Sequence, residues 1–342
     1  MKKTLIICLI TMLSLCLSYG FANAAASGPC VDCHTMHNSQ DGSPMRFDGN
    51  PQPIEKLLRG DCCGCHAKSG GTEAERINDG IPQVAHVDGV RDLAGGNFQP
   101  GYTSDAMAHN VLCLYSANPD DVLGNNPPGY NGAYDAANPP FGASTQLRCA
   151  GQYGCHGIRD GGETNEWDAV SGGHHGDDSM LKFGSINEAA QGADVPSSYR
   201  WLFGVHGGEN TSWQNIDENS HNEYRGEDMS VRAGLTWGST ITISQLCAEC
   251  HGDFHESVEI TNQVAATWGP WLRHPTDYVI LDSGEYASIS PDYSIDAPVG
   301  RTSIPNAPSA TYTPGSEVVT CLSCHKAHGS DFADILRWVQ KK

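Results

Sequence analysis

Four times in this 342-residue chain, two cysteines separated by two residues are followed at once by a histidine. The segments are Cys30-Val31-Asp32-Cys33-His34, Cys62-Cys63-Gly64-Cys65-His66, Cys247-Ala248-Glu249-Cys250-His251 and Cys321-Leu322-Ser323-Cys324-His325. Two thiols at this spacing reach the two vinyl groups of one haem, and the adjacent imidazole then falls beneath the iron as its proximal ligand. A disulfide framework gives the histidine no role. Zinc needs two cysteine pairs close together or a histidine pair at defined spacing, whereas these pairs are spread along the chain. An iron–sulfur cluster needs four thiolates in one place and has no use for the trailing histidine.

A fifth segment, Cys149-Ala150-Gly151-Gln152-Tyr153-Gly154-Cys155-His156, keeps the Cys-His ending but has five residues between its thiols. Gly151 and Gly154 supply the backbone freedom for the extra residues to bulge outward. The competing reading is a small disulfide loop. Haem is favoured because the long stretch between His66 and Cys247 otherwise lacks a core filler. The expected cofactor is therefore haem c, five copies, or four if the Cys149/Cys155 site is not used. Cys63 and Cys113 are left over: either they form one disulfide, or Cys63 is a tolerated residue inside its haem loop.

Five of the 15 histidines are then proximal, at His34, His66, His156, His251 and His325. The other ten are ample for the opposite faces of five irons, so bis-histidine coordination is the default. An iron with no open position transfers electrons rather than activating a substrate, and no catalytic residue is assigned. His37 and His328 each follow a proximal histidine by three residues, and residues three apart on a helical turn share one face. Neither can therefore reach the same iron as its neighbour, and each is expected to ligate a different haem. His255 follows His251 by four and meets the same constraint. The distal candidates are His37, His109, His175, His255, His274 and His328; His86, His206 and His221 rank last.

The elements that must position these groups are sparse. Gly and Pro together make up 39 and 19 residues, and the apolar fraction of 39% with 8% aromatics is thin for a protein-only core. β-branched content suggests short strands at 240–243, 278–281 and 318–321. A short helix is expected over 332–340, with Leu336 and Trp338 on its buried side. The rest reads as turn, including the Asn/Pro/Gly-rich stretches at 118–121 and 124–129, which are solvated loops or, less favoured, calcium loops. The expected fold is irregular, mostly coil with short helices and a few short β-strands, organised around stacked covalent haems. Residues 25–342 are expected to form a single domain with no fixed-period repeat beyond the haem motifs.

Residues 1–24 read as an export signal: Lys2 and Lys3 precede an apolar run, and the stretch closes on Ala22-Asn23-Ala24. The run is too short to span a bilayer, and Leu15 before Cys16 is unsuited to a lipoprotein cleavage site. The expected location is outside the cytoplasm: periplasm, outer-membrane surface or extracellular. Net charge is −20, and losing Lys2 and Lys3 deepens it by two. Such acidity argues against nucleic acid and anionic lipid, and favours basic proteins or metal-bearing surfaces as partners.

These residues resemble the multihaem c-type cytochromes of bacteria that respire on extracellular metals. The match lies in CVDCHTMHNSQ from Cys30, LRCAGQYGCHG from Leu147, CLSCHKAHG from Cys321 and WLRHPTD from Trp271. The resemblance implies bis-histidine haems and electron transfer through the periplasm or across the cell surface, toward redox proteins or extracellular acceptors. Some relatives polymerise into conducting filaments through a ligand donated across a subunit boundary. By this analogy the chain forms a homo-oligomer or filament in which His37 or His328 is the natural donor. The five-residue Cys149–Cys155 spacing departs from the family pattern. The alternative function is a multihaem reductase of a small oxyanion such as nitrite; that class needs one open iron and commonly a lysine as proximal ligand, whereas all five motifs here end in histidine.

Overall fold

The structure, a computed structural model, describes residues 26, 28–67, 81–85, 93–98, 106–115, 126–129, 146–160, 162–228, 241–255, 276–284, 292–313 and 315–339. Coil dominates these residues, and the regular elements are short. Five α-helical turns occur among them: α1 (Cys30–Cys33), α2 (Cys62–His66), α3 (Glu166–Ala169), α4 (Ile243–Ala248) and α5 (Cys321–Cys324). All but α3 carry a Cys-x-x-Cys segment or its first cysteine. One helical turn brings residues i and i+3 to the same face, which is what attachment of two thiols to one flat ring requires.

Short polar residues precede all of these turns but α1, which follows Pro29. The Asp61 carboxylate accepts the Gly64 amide at 2.6 Å ahead of α2, satisfying one of the donors that a helix start leaves open. Thr242 and Gln245 form a reciprocal capping box at α4. That box explains one difference from expectation: the β-branched stretch at 240–243 supplies the helix cap of α4 and is not a strand, residue 240 itself lying outside the described set.

The first two strands, β1 (Ser39–Gln40) and β2 (Ser43–Pro44), form a hairpin. Its turn residues Asp41 and Gly42 both have positive φ, 51° and 82°, the requirement of the tight turn that Asp-Gly favours. A five-stranded sheet follows, built from β3 (Gly207–Gly208), β4 (Glu223–Arg225), β5 (Tyr278–Val279), β6 (Gly300–Arg301) and β7 (Glu317–Val319), in the order β3-β4-β6-β7-β5. Only the β4–β6 pair is parallel. The strands expected at 278–281 and 318–321 correspond to β5 and β7 in shorter form. Thr320 leaves the ladder because its amide is accepted by the Ser323 hydroxyl at 3.0 Å, so β7 delivers Cys321 directly into α5.

One side of the sheet packs Tyr224 against Tyr199, Leu202, Val205, Ile243, Leu246 and Leu322. Within the sheet, Arg301 reaches two fully buried carboxylates, Glu223 at 2.6 Å and Glu317 at 2.8 Å. The Ser309 and Thr313 amides add further donors to these carboxylates, as burial of charge demands. A second apolar cluster gathers Ala85, Phe98, Ala108 and Val111. Cys63 and Cys113 are disulfide-bonded with their Cα atoms 6.0 Å apart, which decides between the two readings of that pair.

The helix expected over 332–340 does not form. Ala333–Ile335 is a turn in which Asp334 and Ile335 both take left-handed conformations, with φ of 60° and 55°. Trp338 is 41% exposed and Leu336 only half-buried. Each left-handed non-glycine residue costs about 1–2 kcal/mol. The turn persists because Asp334 and Ile335 turn their carbonyls on His325 Nδ1 and the Lys326 amide, at 2.7 and 2.9 Å. Local helix propensity is too weak to compete with those bonds.

Candidate haem-binding sites

The Cys-x-x-Cys-His segments share one backbone geometry. The histidine amide donates to the carbonyl of the first cysteine, at 2.8 Å for His34 and Cys30, 2.9 Å for His251 and Cys247, and 3.0 Å for His325 and Cys321. The wide segment closes the same way: the His156 amide donates to the Cys149 carbonyl at 3.0 Å, and the Cys155 amide reaches that carbonyl at 3.2 Å. The three additional residues loop outward through a Gly154-to-Gly151 bond of 2.9 Å. Gly151 has φ of 79°, and a Cβ on Gly154 would come within 2.5 Å of the Ala150 nitrogen. Glycine is needed at both positions. Five residues between the thiols therefore end in the same Cys-His disposition as two.

All five motif imidazoles are pinned through Nδ1. Nδ1–H donates to a backbone carbonyl: Lys56 for His34 (3.0 Å), Pro82 for His66 (2.9 Å), Arg200 for His156 (2.9 Å), Pro128 for His251 (2.7 Å) and Asp334 for His325 (2.7 Å). Two further histidines are held the same way, His109 by the Ala327 carbonyl at 2.7 Å and His328 by that of Gly96 at 3.0 Å. Such a bond fixes the tautomer and leaves the Nε2 lone pair for a metal.

Four pairs of histidine rings face each other among the described residues: His34 with His175 at 6.1 Å between centroids, His66 with His174 at 6.3 Å, His156 with His328 at 6.4 Å and His109 with His251 at 6.2 Å. A metal between two imidazoles, about 2.0 Å from each nitrogen and about 1.1 Å more to each ring centre, sets a separation of about 6.2 Å. Direct ring stacking brings centroids closer, as in the His221–Tyr293 pair at 4.0 Å. The four pairs thus fit a six-coordinate iron between each, and each contains one histidine from a Cys-His motif. His66 and His156 are pushed below the usual histidine range by desolvation. His109 and His328 fall to about 4, with the ring facing each adding to the effect.

The attachment sulfurs converge as well. Cys62 and Cys149, the first cysteines of the second and third motifs, lie with Glu166 so that their ligand atoms are all within 4.8 Å of one another. Cys149 Sγ is also 3.8 Å from Cys113 Sγ in the disulfide. Cys247 and Cys321 hydrogen-bond to each other, which raises the Cys247 thiol and lowers that of Cys321. The segment 325–328 carries His325, the His328 ring opposite His156 and the Ala327 carbonyl that orients His109. Three of the five motifs meet there.

Of the distal candidates, His109, His175 and His328 each stand opposite a motif histidine. His37 is exposed and among the described residues has no hydrogen bond, ion pair or ring contact. His86 and His274 lie outside the described residues, as does the side chain of His255. His221 is fully buried with both ring nitrogens on oxygen acceptors, Asp217 O at 3.2 Å and Glu223 Oε1 at 3.0 Å. His206 is half-buried and lowered by desolvation. His174, one of the ten candidate histidines but not a preferred one, stands opposite His66. The available signal was the His174-His175 dyad itself, since adjacent residues of an irregular segment present opposite sides and can serve two different rings.

This chain is similar along nearly its whole length to a c-type cytochrome. The relative is C-type cytochrome OmcS of Geobacter sulfurreducens, 24% identical, with 99% of this chain and 86% of the relative covered. Two solved structures show likeness at 18% identity. The outer membrane cytochrome S filament of Geobacter sulfurreducens has a TM-score of 0.46, covering 94% of this chain and 86% of that one. The OmcS nanowires from the same organism have a TM-score of 0.43, covering 92% and 84%. No family model matches the chain. Haem c is the cofactor that the five segments fit in donor type, spacing and orientation, and no helix among the described residues is long and apolar enough to cross a membrane.

Proposed function

We propose that this chain is an exported, five-haem c-type cytochrome that conducts electrons along a row of bis-histidine irons outside the cytoplasm. The observation that carries the reading is the set of four histidine-ring pairs, each at iron-spanning separation and each including a motif histidine. Haem c, when bound, supplies the one-electron chemistry. The chain's own residues do the rest. Cys30/Cys33, Cys62/Cys65, Cys149/Cys155, Cys247/Cys250 and Cys321/Cys324 anchor the groups. His34, His66, His156, His251 and His325 ligate from one side, and His175, His174, His328 and His109 ligate the first four of these irons from the other. Residues from 25 onward act as one haem-threaded domain, supported by contacts between its distant parts such as Ala26 N to His174 O at 2.8 Å.

Neighbouring sites are joined by short covalent or sulfur links. His174 and His175 are consecutive, tying the first site to the second. Cys62 and Cys149 tie the second to the third, and Cys247 and Cys321 tie the fourth to the fifth. The 325–328 segment ties the fifth to the third. These links run from the first site through the second, third and fifth to the fourth, which suits a wire with an entry at one end and an exit at the other.

His37 faces solvent on the motif nearest the start of the mature chain, and Met36 and Val31 beside it are 78% and 57% exposed. OmcS is described as a filament; by analogy, His37 is offered to an iron of a second copy, and the protein assembles head to tail. Intact mass and oxidised-state spin quantitation of the purified protein test both parts. Five haem increments, with every iron low-spin in the assembled form, support the conduit. A persistent high-spin iron in the assembled form points to the oxyanion reductase. A monodisperse monomer with all irons six-coordinate rules out the role of His37.

A further inference from the structure

Three of the five motif imidazoles are held by the same device. The carbonyls that accept Nδ1–H from His34, His156 and His325 belong to Lys56, Arg200 and Asp334. All three residues are left-handed, with φ of 56°, 49° and 60°, and so are the residues that follow them: Leu57 at 56°, Trp201 at 57° and Ile335 at 55°. A leucine comes next each time, at Leu58, Leu202 and Leu336. Those leucines bridge to His34, Gly157 and His325 respectively.

The second left-handed carbonyl is also used identically. Leu57 O accepts the Thr35 amide at 2.8 Å, Trp201 O the Gly157 amide at 2.6 Å, and Ile335 O the Lys326 amide at 2.9 Å. Each turn therefore grips the histidine ring with one carbonyl and the backbone just after the histidine with the next. Consecutive helical residues of either hand aim successive carbonyls the same way, whereas extended residues alternate. None of the six residues is glycine, so the conformation is held against its intrinsic preference. The other two motifs use a different device, a carbonyl of Pro82 for His66 and of Pro128 for His251. The two devices alternate along the chain.

We propose that the left-handed turns at Lys56-Leu57, Arg200-Trp201 and Asp334-Ile335 are imidazole clamps that set the ligand orientation and reduction potential of the first, third and fifth irons, dividing the five irons into two classes. This rests on the haem reading above. The bond to Nδ1–H controls how much electron density the imidazole gives the metal, and the second carbonyl fixes the backbone that carries the ring. Lys56, Arg200 and Asp334 are positioning residues that act through their backbone.

The test uses the full haem-loaded protein and paired substitutions. Lys56→Gly and Asp334→Gly remove the side chain but tolerate the left-handed conformation. Lys56→Val and Asp334→Val disfavour it, and Lys56→Pro and Asp334→Pro forbid it. Intact mass is read first, then a potentiometric titration. The glycine variants lose the same side-chain charge as the valine and proline variants, including the Lys56–Asp168 ion pair, and are the reference against which those are read. The valine and proline variants should each displace one of five midpoints by about 59 mV or more, a tenfold change in that site's preference between oxidation states. If valine and glycine variants superimpose while five haems are present, the clamp is refuted and the haem reading stands. If the parent carries no haem on His34 or His325, the haem reading fails and the clamp with it. Should the proline variants not load, the valine pair decides.

Discussion

Removing the His328 ring is the sharpest perturbation, because segment 325–328 serves three sites through three different atoms. His328→Ala takes away the imidazole 6.4 Å from His156 and leaves the backbone in place. The Ala327 carbonyl still holds His109 at 2.7 Å, and His325 keeps its bond to Asp334. One iron of five should then lose its sixth ligand, so about one fifth of the low-spin signal converts to high spin. The Gly96 carbonyl loses its 3.0 Å donor and Phe98 loses a ring packed at 5.2 Å, a stability cost of about 1–3 kcal/mol for the orphaned acceptor. Oxidised-state paramagnetic resonance with spin quantitation, on protein whose mass shows the parent haem number, reads the outcome. An unchanged low-spin signal would mean that His328 is not a ligand. Conversion of two fifths would mean that the ring and the Ala327 carbonyl do not act separately.

The adjacent pair should behave independently: His174→Ala is expected to open the iron on His66, His175→Ala the iron on His34, and the double variant both, as successive one-fifth steps in the same assay. Replacing Cys149 and Cys155 together with alanine should lower the intact mass by one haem increment, and an unchanged mass would reduce that segment to a loop. His221→Phe should leave the haem spectrum untouched while lowering the thermal midpoint, because Glu223 and the Asp217 carbonyl each lose a buried donor, about 1–3 kcal/mol in all; a spectral change would make His221 a ligand after all. Acid should act late. His109 and His328 remain neutral down to about 4, so protons compete for these ligands only below that point. The low-spin signal of the irons on His251 and His156, which His109 and His328 face, is expected to hold from pH 7 to about 5 and to decline near 4; loss of that part beginning near pH 6.5, where exposed histidine titrates, would contradict the burial of these two rings.

Attachment chemistry is local, and the sequence carries it almost whole. Cysteines two residues apart with a histidine next to them are brought together by one helical turn whatever surrounds them, so eight thiols and four adjacent imidazoles are grouped by spacing alone. The His328 ring stands opposite His156, but not for the local reason expected: the helical turn ends at Cys324 and His325 is extended, so the pairing is set by the fold. The coil-rich fold follows from composition, since a chain so rich in Gly and Pro and so poor in long apolar runs has few ways to fill a core without a cofactor.

Only tertiary structure decided the rest, because it depends on which distant segments meet. The carbonyl orienting His109 comes from 218 residues away, and no period in the sequence announces such a contact. His174 and His175 are equivalent in spacing, and only the fold sets His174 opposite His66 and His175 opposite His34. Residues 332–339 have a helix-compatible pattern, yet they form a left-handed turn because two carbonyls are needed on the His325 segment. The buried His221, chemically identical to a ligand, is separated from the ligands only by where its two nitrogens point. Spacing along the chain fixes bonds within one helical turn; orientation across the chain is fixed by packing and by hydrogen bonds that close long loops.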